Sequence, residues 1–93
     1  MNITEKLMEQ YHYNKKEAET VAEDLKGLDS RLDPLYRRWL EEGAEDDDRQ
    51  FEGYSVHMLR QKFNMNYIAA LLTLDWLVKE PEEAKKQISK GIK

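Results

Sequence analysis

The chain has 93 residues, a length that suits one domain near the lower end of the usual size range. Its 40% hydrophobic and 37% charged residues predict one modest core beneath a strongly solvated surface. The absence of cysteine excludes disulfides, thiolate metal sites and thiol nucleophiles, and it favours a cytoplasmic location. We expect no signal peptide, because the polar start of the chain has no positively charged segment leading into an apolar one.

The net charge of -4 is unevenly distributed along the chain. Residues 1–53 carry eight Lys and Arg against fifteen Asp and Glu, whereas residues 54–93 carry seven against four. The overall acidic balance disfavours indiscriminate binding to nucleic acid, which requires clustered cations to neutralise phosphates. The excess of Lys and Arg in the second half has two interpretations: a local contact with phosphates, or ordinary surface charge.

Helical spacing of apolar residues predicts three helices in the first half of the chain. The first covers residues 3–12. The second begins after Asn14, whose side chain can cap the helix while Glu17 reaches back to the cap. The third begins at Asp33, which is expected to act as a cap before a proline, and it ends at Gly43.

The next segment is acidic and contains no core residue in its charged part. Glu45 to Asp48 form a like-charge run that repels itself, so an exposed acidic loop is predicted at about residues 44–53. Phe51 and Tyr54 are expected to anchor its far side. The run does not have all three marks of a calcium loop, namely alternating acids, a central glycine and a final glutamate. We therefore expect no metal site.

The stretch from Tyr67 to Val78 is the most apolar part of the chain, with ten apolar residues out of twelve. It is shorter than the roughly 20 apolar residues that span a bilayer. It is also apolar on too many sides to lie on a surface. We therefore expect no membrane segment, and we expect a central helix wrapped by the other helices of one domain covering residues 1–93.

Two further helices flank this central one. Ser55 can cap a helix that ends before a turn at residues 64–66, where Asn66 can cap the central helix. Pro81 can begin a last helix that ends at Gly91. The predicted fold is all-α: a single compact orthogonal bundle of about five or six short helices that contains a helix-turn-helix-like pair.

The string SVHMLRQKFNMNYIAALLTLDWL, residues 55–77, forms that pair. It resembles the DNA-reading winged-helix domain of FtsK-type DNA translocases. The positions that match are Ser55, Val56, Leu59, Lys62, Phe63, Tyr67, Ala70, Asp75 and Leu77. The resemblance implies a second helix that reads bases in the major groove, followed by a β-hairpin wing. At the base-reading positions this chain has Ile68 and Ala69, whose side chains cannot hydrogen-bond to base edges. Glu80 to Glu83 follow where the wing would begin, so we expect no wing.

The whole chain also resembles small uncharacterised proteins carried on bacterial mobile elements. The similarity lies in the short acidic helical layout, in the Gly-Tyr-Ser sequence at Gly53, and in LLTLDWL before Pro81. It implies a bacterial origin and no known activity.

No constellation for catalysis stands out. His12 and His57 lie far apart, and a Ser55–His57 arrangement would need an orienting carboxylate and an oxyanion site. The chain has no glycine-rich elbow, no HExxH motif, no P-loop and no dinucleotide fingerprint. We predict a protein that is not an enzyme and has no cofactor.

Four residues are candidates for an interaction surface: Phe51, Tyr54, Asp75 and Trp76. An unpaired charge inside an apolar helix would be costly. We therefore expect Asp75 to face outward or to pair with Arg60, Arg37 or a tyrosine hydroxyl, and the alternative is a polar determinant at an interface. Trp76 is either core filler or an interface anchor.

These observations favour a small non-catalytic helical module that binds a protein partner or forms a homodimer through the face carrying Trp76 or Leu72. The alternative is a nucleic-acid-associated accessory protein built on the helix-turn-helix pair. Its phosphate contacts would be Arg60, Lys62, Lys79, Lys85 and Lys86. A variant of that alternative is an acidic mimic of DNA, in which Glu45 to Asp48 imitate phosphates.

Overall fold

The computed structural model describes residues 2–46 and 48–91, so Asp47 of the acidic run lies outside the described residues. The described residues form six helices and one two-stranded sheet: α1 Ile3–Tyr11, α2 Lys15–Leu25, α3 Asp33–Glu42, β1 Gln50–Phe51, β2 Tyr54–Ser55, α4 Val56–Phe63, α5 Tyr67–Lys79 and α6 Pro81–Ser89. The predicted helical bundle is confirmed. Its radius of gyration of 12.8 Å is close to the roughly 12 Å of a compact domain of this length.

Four of the helices begin at a residue whose side chain caps the first turn: Asn2, Asn14, Ser55 and Asn66. Each of these side chains accepts a hydrogen bond from the backbone N–H three residues later, which satisfies a donor that the helix itself leaves unpaired. The predicted box is present in α2, because the Glu17 carboxylate also accepts from the Asn14 backbone N–H at 3.0 Å. Local sequence thus fixes these four starts.

The predicted cap at Asp33 is wrong. Helix α3 begins at Asp33 itself, after Leu32, which has helical backbone angles and provides no side-chain cap. A turn in which the Leu32 N–H donates to the Asp29 carbonyl leads directly into the helix. Asp33 already belongs to the first turn, so its carboxylate pairs instead with Arg37 one turn later, at 2.7 Å.

The exposed loop predicted at residues 44–53 ends in a small hairpin, which is a second correction. Strands β1 and β2 are antiparallel, and Phe51 lies opposite Tyr54. Glu52 and Gly53 form the two-residue connection, both with positive φ, as the favoured tight hairpin turns require. Glutamate is not a typical residue for the first of these positions, so turn preferences do not predict the hairpin. The hairpin precedes α4, whereas the wing of the FtsK-type domain would follow α5.

Helix α5 is the centre of the hydrophobic core, as predicted. Six of its side chains have no exposed surface: Tyr67, Ile68, Ala70, Leu71, Leu74 and Leu77. Every other helix contributes buried side chains to the same cluster, among them Leu7, Leu25, Trp39, Leu59 and Ile88. None of the helices in the described part of the chain is long and apolar enough to cross a membrane.

Lys6 fixes the end of α3 against α1. Its ammonium group donates to the carbonyls of Trp39 and Leu40, both at 2.9 Å, and lies 4.8 Å from the centre of the Trp39 ring. A cation at this end of a helix meets the last carbonyls and the negative end of the helix dipole. The Trp39 carbonyl also accepts from the Gly43 N–H at 2.9 Å. The contact joins residues more than thirty positions apart, and no local pattern in the sequence indicates it.

We expect Asn66→Ala to lower the free energy of unfolding by about 1–2 kcal/mol, because it removes the cap of the central helix. It also removes the hydrogen bond from the Asn66 amide to the Tyr13 hydroxyl, which is 2.9 Å long. Urea unfolding followed by circular dichroism measures the loss. The matched control is Asn2→Ala, which removes an exposed cap at the start of α1. An equal loss in both variants would contradict the central role of α5.

Candidate functional site

Two asparagines form the turn that joins α4 to α5. Asn64 ends α4 in the left-handed conformation, with φ of 54°, and its N–H donates to the Arg60 carbonyl at 2.9 Å. Asn66 begins α5 by accepting from the Ala69 N–H at 2.8 Å. Asparagine tolerates the left-handed region and also caps helices, so the turn follows from these residue types. Half-buried Met65 lies between them.

The start of α5, where a DNA-reading helix would contact bases, is covered by the rest of the protein. Tyr67 and Ile68 have no exposed surface. The Tyr67 hydroxyl donates to the Leu35 carbonyl of α3 at 3.2 Å. A helix that enters the major groove must present its first residues to the bases. Of the two base-reading positions, Ile68 is therefore buried and Ala69 is only partly exposed, so the α4–α5 pair has the helix-turn-helix order with little of its reading end accessible.

One side of α5 stays partly accessible, and we call it the α5 stripe: Ala69, Leu72, Thr73 and Trp76. These residues follow one another at the spacing of a single helix face. The one hydroxyl in the stripe, that of Thr73, donates within its own helix to the Ala69 carbonyl at 2.9 Å. Its oxygen lies 3.7 Å from the Met65 sulfur, which extends the stripe towards the turn. The surface that remains is mainly apolar.

The four predicted interaction residues do not form one patch. Phe51 is 9% exposed and belongs to the core, and Tyr54 is half-buried beside it in the hairpin. Trp76 is also half-buried, on the α5 stripe. Within residues 2–46 and 48–91, every buried side-chain nitrogen or oxygen has a partner, and no residue accepts from the Trp76 indole N–H. That N–H is therefore accessible to solvent.

Asp75 is paired, as the cost of burying a charge predicts, but the expected partners are wrong. Its carboxylate accepts from the Asp29 backbone N–H at 2.7 Å and pairs with Lys79 at 2.9 Å. Lys79 in turn donates to the Gly27 carbonyl. We call these four residues the Asp75 clasp. It forms because the end of α5 lies against the turn between α2 and α3, away from Arg37 and Arg60.

A second polar network joins α1, α3 and α4 through the acidic segment. The Trp39 indole N–H donates to the Tyr11 hydroxyl at 2.9 Å, and that hydroxyl donates to Glu45 at 3.0 Å. The other oxygen of Glu45 pairs with Arg60 at 2.8 Å. Burial, together with the negative charge of Glu45, raises the pKa of Tyr11 well above its ordinary value. We call Trp39, Tyr11, Glu45 and Arg60 the tyrosine network.

The five predicted phosphate contacts are dispersed over the structure. Lys62 lies exposed beside the Phe63 ring, and Lys86 is exposed on α6. The other three have carboxylate partners in three different segments: Arg60 with Glu45, Lys79 with Asp75, and Lys85 with Glu52, at 2.8, 2.9 and 3.1 Å. Such partners reduce the positive potential that these cations could offer to phosphates.

The acidic run is partly neutralised from within the chain. Glu45 pairs with Arg60, and the Asp46 carboxylate lies 4.0 Å from an Arg38 guanidinium nitrogen. In the described part of the chain, no three His, Asp or Glu side chains are placed to hold a metal ion. His57 lies exposed on α4.

The fold and these contacts define a small helical bundle with a helix-turn-helix-like pair and a buried second helix. Comparisons with protein-family models, with curated proteins and with solved structures find no match to the chain. The resemblances to the FtsK-type domain and to proteins of mobile elements therefore stay predictions.

We expect Asp75→Ala to lower the free energy of unfolding by about 1.5–3 kcal/mol, because it leaves the Asp29 N–H without its charged acceptor. It also frees Lys79 from its partner. Chemical denaturation at neutral pH measures the change. The control is Asp33→Ala, which breaks a more exposed pair within one helix and is expected to cost about 0.5 kcal/mol or less. Similar losses in the two variants would show that the clasp contributes little.

We expect Tyr11→Phe to be less stable than the wild type at neutral pH by about 1–2 kcal/mol, because it removes two hydrogen bonds. The difference should shrink above about pH 10, where tyrosine in the unfolded chain loses its proton while the pKa of Tyr11 in the folded state is higher. The wild type therefore loses stability as pH rises, and the variant lacks this contribution.

Urea unfolding from neutral pH to about pH 11 measures both curves. Burial also raises the pKa of Tyr36, but that residue is present in both proteins and its effect cancels in the comparison. A difference that stays constant over the whole range would contradict the assigned role of the Tyr11 hydroxyl.

Proposed function

We propose that this protein is a small non-catalytic interaction module whose contact surface is the α5 stripe. The observation that supports the proposal best is the partial exposure of Ala69, Leu72 and Trp76 on the most apolar helix of the chain. Tryptophan is enriched at protein–protein contacts, where it often anchors the centre of the interface. Such side chains offer few partners to phosphates or base edges.

The simplest partner for this stripe is a second copy of the chain. Helix α5 of each copy would lie against the other around a two-fold axis, so that one surface serves both subunits. Ala69 has a small side chain that lets the helices approach closely, and Leu72 and Trp76 supply the apolar area. The accessible Trp76 N–H can donate to an acceptor on the partner.

The nucleic-acid alternative has less support. Tyr67 and Ile68 in the first turn of α5 are buried, and three of the five candidate cations have carboxylate partners. Mimicry of phosphates by the acidic run is also weakened, because Glu45 and Asp46 face the chain's own arginines. The net charge of -4 opposes binding to a polyanion.

The proposed module has no catalytic role and acts in the cytoplasm. The absence of cysteine supports this location. The resolved pKa shifts have structural causes: burial and the charge of Glu45 raise the pKa of Tyr11, and hydrogen bonds from Arg31 lower the pKa of Asp29. Perturbed groups in structural networks of this kind need no chemical task.

Sedimentation at micromolar concentration tests the homodimer. We expect the wild type to sediment with the mass of two chains and Leu72→Glu with the mass of one, because a carboxylate would be buried in the interface without a partner. The control is Met8→Glu, which adds the same charge at a side chain that is 37% exposed on α1. Circular dichroism verifies that the variants are folded. A monomeric wild type over the whole concentration range would refute the dimer.

A further inference from the structure

The α5 stripe leads to an unpaired carboxylate at the end of its helix. Glu80 follows Trp76 after four residues, which is about one helical turn. Its backbone N–H donates to the Trp76 carbonyl at 2.7 Å, so the helical course extends to this residue. The Glu80 side chain is exposed, and no cation among the described residues pairs with it. Lys79 beside it is held by Asp75 at 2.9 Å, so this end of the stripe is negative.

The opposite end of the stripe lies beside the start of α2. The Asn66 side chain accepts from the Ala69 N–H at 2.8 Å and donates to the Tyr13 hydroxyl at 2.9 Å. These two hydrogen bonds join the first residue of the stripe to the segment that precedes α2. Tyr13 in turn lines an open depression of about 320 Å³ together with Lys16, Glu17, Thr20 and Val21. Lys16 therefore lies close to the start of the stripe.

The Lys16 ammonium group is available to a carboxylate from outside the chain. Its side chain is exposed, and in the part of the chain that the structure describes no Asp or Glu pairs with it. The neighbouring Glu17 carboxylate instead accepts from the Asn14 backbone N–H at 3.0 Å, within the cap of α2. The stripe thus has an unpaired cation near its start and an unpaired carboxylate at its end.

We propose that the α5 stripe pairs with a second copy of the chain in an antiparallel arrangement, in which Glu80 of each copy pairs with the partner's Lys16. The inference rests on the proposed homodimer and adds its direction and its alignment. In an antiparallel pair the end of one helix meets the start of the other, so each free carboxylate meets a free ammonium group. A parallel pair would place Glu80 beside the partner's Glu80, where like charges repel.

The sizes of the stripe side chains suit the same arrangement. With the two-fold axis between Leu72 and Thr73, Trp76 of each copy lies opposite the partner's Ala69. A large side chain opposite a small one lets two helices pack closely without a clash or a void. The Thr73 hydroxyl already donates within its own helix, so no unpaired donor is buried at the axis.

The charged contact follows from the same axis. Four residues beyond Trp76, Glu80 lies opposite the turn that precedes the partner's α5. The Asn66 side chain and the Tyr13 hydroxyl meet at that turn, and Lys16 is beside them. One two-fold axis therefore brings together both the apolar and the charged groups, and each contact occurs twice in the dimer.

Charge reversal at the two positions tests the arrangement. Lys16→Glu and Glu80→Lys each replace two attractions in the dimer by two repulsions, so we expect either change to weaken the dimer by about tenfold or more. Sedimentation equilibrium at low salt measures the dissociation constants, because exposed charges are screened at higher salt. Circular dichroism verifies the fold, and glutamate in the first turn of α2 is favourable to that helix.

A mixture of the two variants gives a sharper result. When one Lys16→Glu chain pairs with one Glu80→Lys chain, both contacts again join opposite charges. We expect mixed dimers in clear excess over either self-dimer, measured by native mass spectrometry with one variant labelled with nitrogen-15. The double variant, which exchanges the two charges within one chain, should form a homodimer within about threefold of the wild-type affinity.

The controls are Glu9→Lys and Lys90→Glu, which make the same reversals at exposed positions on α1 and at the end of α6. We expect both to self-associate like the wild type and their mixture to pair at random. Equal weakening in the controls, or tight self-dimers of both test variants, would overturn the antiparallel arrangement and leave the homodimer standing. A monomeric wild type would instead refute the homodimer, and the arrangement with it.

Discussion

Helix α5 is apolar on nearly every side, and in a chain of 93 residues this is the constraint on which the rest of the structure depends. A helix of this kind is stable in water only when other elements cover it. All five remaining helices and the hairpin contribute buried side chains to the cluster around it. The chain is too short for a second core. The arrangement of every other element therefore follows from the need to cover one helix.

Polar contacts fix how α5 is covered. At its start, Asn66 contacts Tyr13, which lies just before α2, and at its end the Asp75 clasp contacts the turn just after α2. Helix α2 therefore runs beside α5 in the same direction. Apolar packing alone tolerates sliding between helices, whereas hydrogen bonds at both ends select one alignment. Asn66 and Asp75 thus have a structural role in aligning α5 that composition alone did not reveal.

Because α5 is covered by the other elements, the burial of this helix also limits the functions that the α4–α5 pair can have. The order of α4, turn and α5 matches a helix-turn-helix, yet the second helix is used as the core and its first residues are buried. What remains for binding is the partly exposed and mainly apolar α5 stripe. The tyrosine network connects the acidic segment to α4 through Arg60, and Glu52 of the hairpin pairs with Lys85, so the acidic first half of the chain contacts the basic second half at both places.

Much of this fold is determined by the sequence itself. The starts of α2, α4 and α5 follow from Asn14, Ser55 and Asn66, because capping involves residues three positions apart. The central position of α5 follows from its composition. The position of Asp75 in an apolar helix also predicts that it either faces outward or has a partner. The partner itself is not predictable from the sequence, because the contact spans 46 residues and depends on how α5 meets the turn after α2.

Tertiary structure alone decided the remaining features. Lys6 caps α3, and Arg60 pairs with Glu45, yet neither cation differs in its local sequence from an ordinary surface charge. The hairpin turn contains a glutamate that turn preferences do not favour, and it is stabilised by the burial of Phe51. Pairings between distant residues depend on the geometry with which whole helices pack. Helix propensity and the periodicity of apolar residues depend only on neighbours along the chain, so they determine the helices. Which charges remain available for a partner is decided by how the helices pack.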